Sequence, residues 1–314
     1  MVLSKQAPYE KGVWEICVKN VLKRLALASM VFAGSAIQAQ SVVYLSNSGN
    51  DSNIGSPDAP CKTLAAAYGK VYAGGRIVVM DSMQLDPITL SKAVTIDGCG
   101  KGVILGDEAG VSRPYHAVAV AAGASDRVVL QNLTLECRSG QTDEGVLFSS
   151  GKSLVIERCT FDGFTDAAVN VSVSNAAEVQ IEDTTFTGSS MGVRFLGNSA
   201  SVKFSLNRVR ALGMGSTGFS LAGPGNSVLK DCEATGASYG LVVYKGDVQA
   251  DGLSASQNGC GIQLNSGSLR LGDCVVAGNG TGVKVNGGAL SSYGNNRVDG
   301  NGSGNGPFTT IGLK

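Results

Sequence analysis

Residues 248–289 read VQADGLSASQNGCGIQLNSGS followed by LRLGDCVVAGNGTGVKVNGGA. The two units have the same length and fall into register. Leu253 matches Cys274, Asn258-Gly259 matches Asn279-Gly280, and Gly261-Ile262-Gln263-Leu264 matches Gly282-Val283-Lys284-Val285. Short alternating apolar runs, turns rich in Gly and Asn, and a period of about 20–25 residues mark a stacked β-coil.

Outward from this pair the same landmarks recur. A corner and second strand read Asn132-Leu133-Thr134-Leu135, Arg158-Cys159-Thr160-Phe161, Asp183-Thr184-Thr185-Phe186 and Leu206-Asn207-Arg208-Val209. They continue as Asp231-Cys232-Glu233-Ala234, Gly252-Leu253-Ser254-Ala255, Asp273-Cys274-Val275-Val276 and Asn295-Asn296-Arg297-Val298. Third strands open at Gly145, Ala168, Gly192, Gly218, Gly240, Gly261 and Gly282. Alternation predicts Val193 and Phe195 inward and Arg194 outward. Cys159, Cys232 and Cys274 share one inward ladder, but none lies on adjacent coils. At about 4.8 Å per coil, Cys232 and Cys274 stand about 10 Å apart, beyond disulfide reach. They read as small core hydrophobes. The polar corners Asn132, Asp183, Asp231, Asp273 and Asn295 read as side chains bonding the backbone of their own turn.

Composition agrees. The chain has 314 residues, 44 Gly, 7 Pro and only 16% charged residues, which suits an all-β chain with many tight turns. Residues 1–39 hold five Lys/Arg and two Glu, leaving 20 bases against 23 acids. No basic patch speaks for a nucleic-acid partner. Lys19, Lys23 and Arg24 precede the apolar run Leu25 to Ile37, and Ala39 offers a cleavage point. This pattern predicts a signal peptide over 1–39 and an exported, periplasmic or extracellular domain over 40–314, without membrane contact after cleavage.

Within that domain an N-terminal cap is expected over about 41–76, and the most regular coils over 128–298. Residues 61–73 carry Leu64, Ala67, Tyr68 and Val71 at helical spacing, which predicts a short helix closing the open coil end. The Asn and Asp residues of 50–53 read as turn chemistry; a calcium loop here lacks the later acidic ligands. Of the seven Cys beyond residue 39, Cys61 with Cys99 is the one pairing entertained. Phe308 and Ile311 are available to cover the last coil.

The pattern VVLQNLTL (128–135), the repeated GNGTGVKV type and the opening VVYLSNSGNDSNIGSPDAPCKTLAAA resemble secreted bacterial right-handed parallel β-helix repeat proteins, the pectate-lyase-like superfamily. The resemblance implies an all-β, right-handed parallel β-helix with a short N-terminal capping helix. It implies two classes of function on one scaffold. One is a non-catalytic surface, matrix or glycan-contact protein, and polysaccharide or cell-surface glycan is its expected partner. The other is a polysaccharide lyase or related enzyme acting on acidic polysaccharide. The lyase needs a cation to neutralise a uronate and a base to take its α-proton. Its candidate residues are Arg138, Asp143, Glu144, Asp162 and Asp166, on loops of successive coils, with Arg158 and Arg194 near them in coil order. No cofactor is expected; calcium enters only under the lyase reading. The hydrolase pattern of Asn-x-Asp, Asp-Asp, His-Gly and Arg-x-Lys is missing, and Asp86-Pro87-Ile88 lacks the His of the epimerases. The only His, His116, reads as a solvated loop residue or a base.

For sugar contact, Tyr115, Phe164, Tyr239 and Tyr244 are the usable aromatics. The second-strand positions Thr134, Thr160, Thr185, Arg208, Glu233, Ser254, Val275 and Arg297 form a polar, charge-poor wall. Short loops and bland outward positions make the matched coils the least functional part. A ligand is expected on the irregular coils between Val128 and Ser227.

Overall fold

The computed structural model describes residues 42–106, 115–197, 202–306 and 308–312. The expected signal peptide and most of the 106–116 excursion lie outside these residues. From Ser41 onward the chain is one unit.

Each coil carries three strands, as in Ala177–Glu182, Thr185–Thr187 and Met191–Phe195. First and second strands build a bent 20-stranded sheet, and third strands a separate 10-stranded sheet. Every strand pair is parallel and joins equivalent positions of neighbouring coils, such as Phe161 with Phe186 and Val169 with Val193. The fold is a right-handed parallel β-helix. The small residue opening each third strand stands second in it, as Gly192 does in Met191–Phe195. Val193 and Phe195 are buried, while Arg194 reaches the surface.

The corner between first and second strands is a single left-handed residue. Asn132, Arg158, Asp183, Arg208, Asp231 and Asp273 all have φ between +48° and +54°. One such residue turns the chain sharply without breaking either ladder. Asn, Asp and Gly tolerate this region best, which explains the composition of the corners. Several of their side chains bond to a neighbouring coil rather than to the backbone of their own turn. Asn132 Nδ2 donates to Asp97 Oδ1 at 2.8 Å, and Arg158 Nε to Asn132 Oδ1 at 2.8 Å. Arg208 Nε donates to Asp183 Oδ1 at 2.6 Å, and Asn295 Nδ2 to Asp273 Oδ1 at 2.8 Å. Coil spacing brings equivalent side chains within reach of each other, and their own turn is already held by the ladder.

One coil differs from the expected alignment. Arg210, not Arg208, pairs with Thr185 and Glu233 in the second-strand row, and Arg208 is the corner. The true corner unit is Arg208-Val209-Arg210-Ala211. A shift of two residues preserves the inward and outward alternation, so hydrophobic pattern alone does not detect it.

Helix α1 spans Leu64–Lys70, shorter than the expected 61–73. Thr63 is its N-cap, accepting from Ala66 N at 3.2 Å, so Pro60 lies before the helix. Asp51 in turn accepts from the backbone N–H groups of Lys62 and Thr63 at 2.8 Å each and from the Thr63 hydroxyl at 2.9 Å. Leu64 and Ala67 are buried and close the coil end. At the other end Phe308 packs against the core, while Ile311 lies outside it beside Tyr293. Cys61 is a free, buried thiol next to Lys70, so it does not bridge to Cys99. Cys159, Cys232 and Cys274 are buried and unbridged. Desolvation raises the Cys159 thiol to about 12 and the other two to about 11.

Candidate functional site

The third-strand sheet places His116, Glu144, Ala167, Met191 and Thr217 in one stacked row. A second stacked row, three positions further on, holds Asn170, Arg194, Ser220, Val242, Gln263 and Lys284. Alternation sends the second row to the side opposite Val169 and Val193, while the first row stands at the strand starts, where Glu144, Ala167 and Thr217 are buried. Their first members converge on a charged cluster.

Glu144 is its centre, 5% exposed. Its Oε1 accepts from Arg194 Nη2 at 2.7 Å and from Asn170 Nδ2 at 2.5 Å. Its Oε2 lies 2.8 Å from His116 Nδ1. Those two atoms are buried and, among the described residues, meet no better-aligned partner. Arg194 Nη1 reaches Asp166 at 2.5 Å, and its Nε donates to Asn170 Oδ1 at 3.2 Å. A buried carboxylate needs charge-assisted donors to persist, and here one guanidinium spans two carboxylates. The His116 side chain is 28% exposed, so its outer edge meets solvent.

The five residues expected from sequence divide into two sets. Glu144 and Asp166 meet through Arg194. Arg138 instead pairs with Glu136 at 2.7 Å, Asp143 accepts from Thr165 at 3.0 Å, and Asp162 accepts from Thr187 at 2.7 Å. Arg158 belongs to the corner ladder, on Glu157 and Asn132. Asn170 escapes the sequence reading altogether. An Asn in a third strand reads as an ordinary outward polar residue, and only its register beside Arg194 and Glu144 reveals its part.

The carboxylates are ill suited to calcium, since each is turned onto a protein donor. Among the described residues, no three His, Cys, Asp or Glu side chains converge where a metal ion would sit. No helix among them is long and apolar enough to cross a membrane. Of the expected aromatics, Tyr115, Tyr239 and Tyr244 are exposed, but Phe164 is 1% exposed and belongs to the core, where it packs against Phe161.

The coiled sheets, single-residue corners and stacked polar rows define a right-handed parallel β-helix protein. Residues 92–209 match the family described as right handed beta helix region. Among solved structures, the chain is similar to the pectate lyase Pel9A. Identity is 16% over 82% of this chain and 81% of that one, with a TM-score of 0.49. It is also similar to a rhamnogalacturonan lyase, at 12% identity over 73% of this chain and 82% of that one, with a TM-score of 0.29. At these identities and scores neither carries an activity over to this chain. No curated protein matches it.

Proposed function

We propose that this chain is an exported, non-catalytic β-helix that holds an extended polysaccharide along its third-strand face. Export rests on the basic segment, apolar run and Ala39 of the first 39 residues. The observation that carries the binding reading is the cluster around Arg194, where Glu144 and Asp166 fix the guanidinium beside Asn170 and His116. The row that continues it places one residue per coil at about 4.8 Å, Ser220 and Val242 buried and Gln263 and Lys284 reaching the surface. That spacing is comparable to the advance of one sugar along a stretched chain. The donors and acceptors of the cluster are spent largely on each other, which supports a positioning surface rather than a site that shuttles charge.

A second reading, a polysaccharide lyase acting on acidic polysaccharide, is favoured by one observation. His116 turns Nδ1 toward the buried Glu144 carboxylate and leaves its outer edge at the surface, the arrangement of a backed proton acceptor. Affinity electrophoresis of the mature protein in gels containing polygalacturonate, alginate or xylan tests both. The binding reading expects retardation that is lost in Asn170→Ala and in Arg194→Ala, with no unsaturated product by ultraviolet absorbance. Unsaturated product that disappears in His116→Ala establishes the lyase instead. Unretarded migration in all three gels removes the binding reading.

A further inference from the structure

A second surface feature lies on the other sheet, at the coils from Asp247 onward. The last position of each first strand stacks in register from Glu157 through Glu182, Asn207, Lys230 and Asp251 to Gly272. Tyr293 follows, since its N–H donates to Leu271 O at 3.0 Å. On the earlier coils this edge is closed upon itself. Arg158 lies 3.2 Å from Glu157, Asn207 donates to Glu182 at 3.1 Å, and Arg208 holds both Glu182 and Asp183.

On the later coils that closure ends. Among the described residues, the side chains of Gln249, Asp251 and Arg270 and the Tyr293 hydroxyl make no hydrogen bond or ion pair within the protein. Gly272 contributes no side chain, so the row is interrupted between Asp251 and Tyr293. A Cβ at Gly272 would stand 3.0 Å from Asp251 Oδ1 and 3.2 Å from the Tyr293 ring. Asp251 and the Tyr293 ring draw close above Gly272, and beside them lies a groove of about 730 Å³, lined also by Ile311 and Gly312. That volume is in the range of small-molecule sites.

The groove combines an aromatic ring with uncommitted acceptors and donors at its sides. A pyranose offers the matching surfaces, a C–H face for the ring and hydroxyls that both donate and accept. Charge selects among sugars. Asp251 and Asp273 face a single cation, Arg270, so a uronate would meet more repulsion than attraction. The geometry points to this groove as a binding site for a neutral oligosaccharide, separate from the His116 cluster and independent of the function proposed for it.

Isothermal titration of the full chain with cellohexaose, xylohexaose and mannohexaose, and with hexagalacturonate as the charged comparison, tests this. One neutral hexasaccharide is expected to bind. Tyr293→Ala and Arg270→Gln, both at the surface, are each expected to weaken it roughly tenfold or more. Arg194→Ala is expected to leave it unchanged, which separates this site from the third-strand face. Binding of no neutral hexasaccharide, binding that survives both Tyr293→Ala and Arg270→Gln, or tighter binding of hexagalacturonate overturns the assignment.

Discussion

Arg158 and Arg208 hold the left-handed backbone that a corner demands, at φ +52° and +53°. A non-glycine residue meets about 1–2 kcal/mol of steric cost there. Each arginine offsets it with side-chain bonds, Arg158 to Asn132 of the preceding coil and to its neighbour Glu157, Arg208 to Asp183 and Glu182 of the preceding coil. Arg158→Val adds a β-branched Cβ and removes both bonds. It is expected to lower the urea midpoint clearly more than Arg158→Asn, whose side chain tolerates this backbone. The carboxylates in such contacts also carry the acid limb of stability. The Thr63 N–H holds the Asp51 carboxyl below its usual range, assisted by Lys62 and the Thr63 hydroxyl. The Arg208 guanidinium does the same for Asp183. A depressed native value means stabilisation that is complete above the unfolded value, about 4, and lost as pH falls through the native one. Asp51→Asn is therefore expected to be less stable than the parent at pH 7 and to converge with it on acidification below pH about 4, followed by denaturant melts at each pH. The corner type was legible in sequence, because Asn and Asp recur there. The identity of the corner in the fourth unit was not, because Arg208 and Arg210 both satisfy a period of two.

The third strands show why a small residue recurs at their second position. Gly218 is not in the left-handed region, so space rather than backbone freedom decides it. A Cβ there would lie 2.7 Å from Gly240 O and 2.8 Å from Ala234 Cβ. The same contact with the next coil recurs at Gly192 and Gly240. Gly218→Val is expected to cost about 1–3 kcal/mol or more through forced separation of two coils, read as a lower thermal midpoint. Gly218→Ala is expected to cost less. The turns before these strands carry a second repeated device. Asn279 Oδ1 accepts from Asn258 N at 2.8 Å, and its Nδ2 donates to Ala255 O at 2.9 Å. Both Asn side chains are buried, so the Asn-Gly pairs that define the repeat are internal hydrogen-bond ladders and not surface turns. Helix α1 was legible in position and shorter in fact. Thr63 begins it by capping Ala66 N, and Val71 ends it in extended backbone.

Across the molecule the core is uneven. Phe148, Phe161, Phe164, Phe186, Phe195, Phe204 and Phe219 are fully buried, and all lie on the central coils. Phe161 meets Phe186 at 5.2 Å and Phe195 stacks on Phe204 at 5.5 Å. The matched coils fill the same interior with Ala250, Ala255, Leu264, Leu271 and Val276. Since each coil touches only its neighbours, stability is a sum of local terms and follows this gradient. Amide exchange is expected to be slowest in the strands at 154–221 and measurably faster in those at 247–292; equal protection would contradict the gradient. Sequence alone determined that the chain is a parallel β-coil, which strand side chains such as Val193 and Phe195 face inward, and that Cys159, Cys232 and Cys274 are core residues; it did not place Phe164 inside. These follow from periodicity, which is local and repeats. The convergence of His116, Glu144, Asn170 and Arg194, the dispersal of Arg138, Asp143 and Asp162, and the groove at Gly272 appear only once the coils are stacked. They depend on which residues of different coils share a row, and a row joins positions about twenty to thirty residues apart whose pairing is set by loop lengths. The apolar pattern is blind to that register, because it constrains only the side of the sheet on which a residue lies.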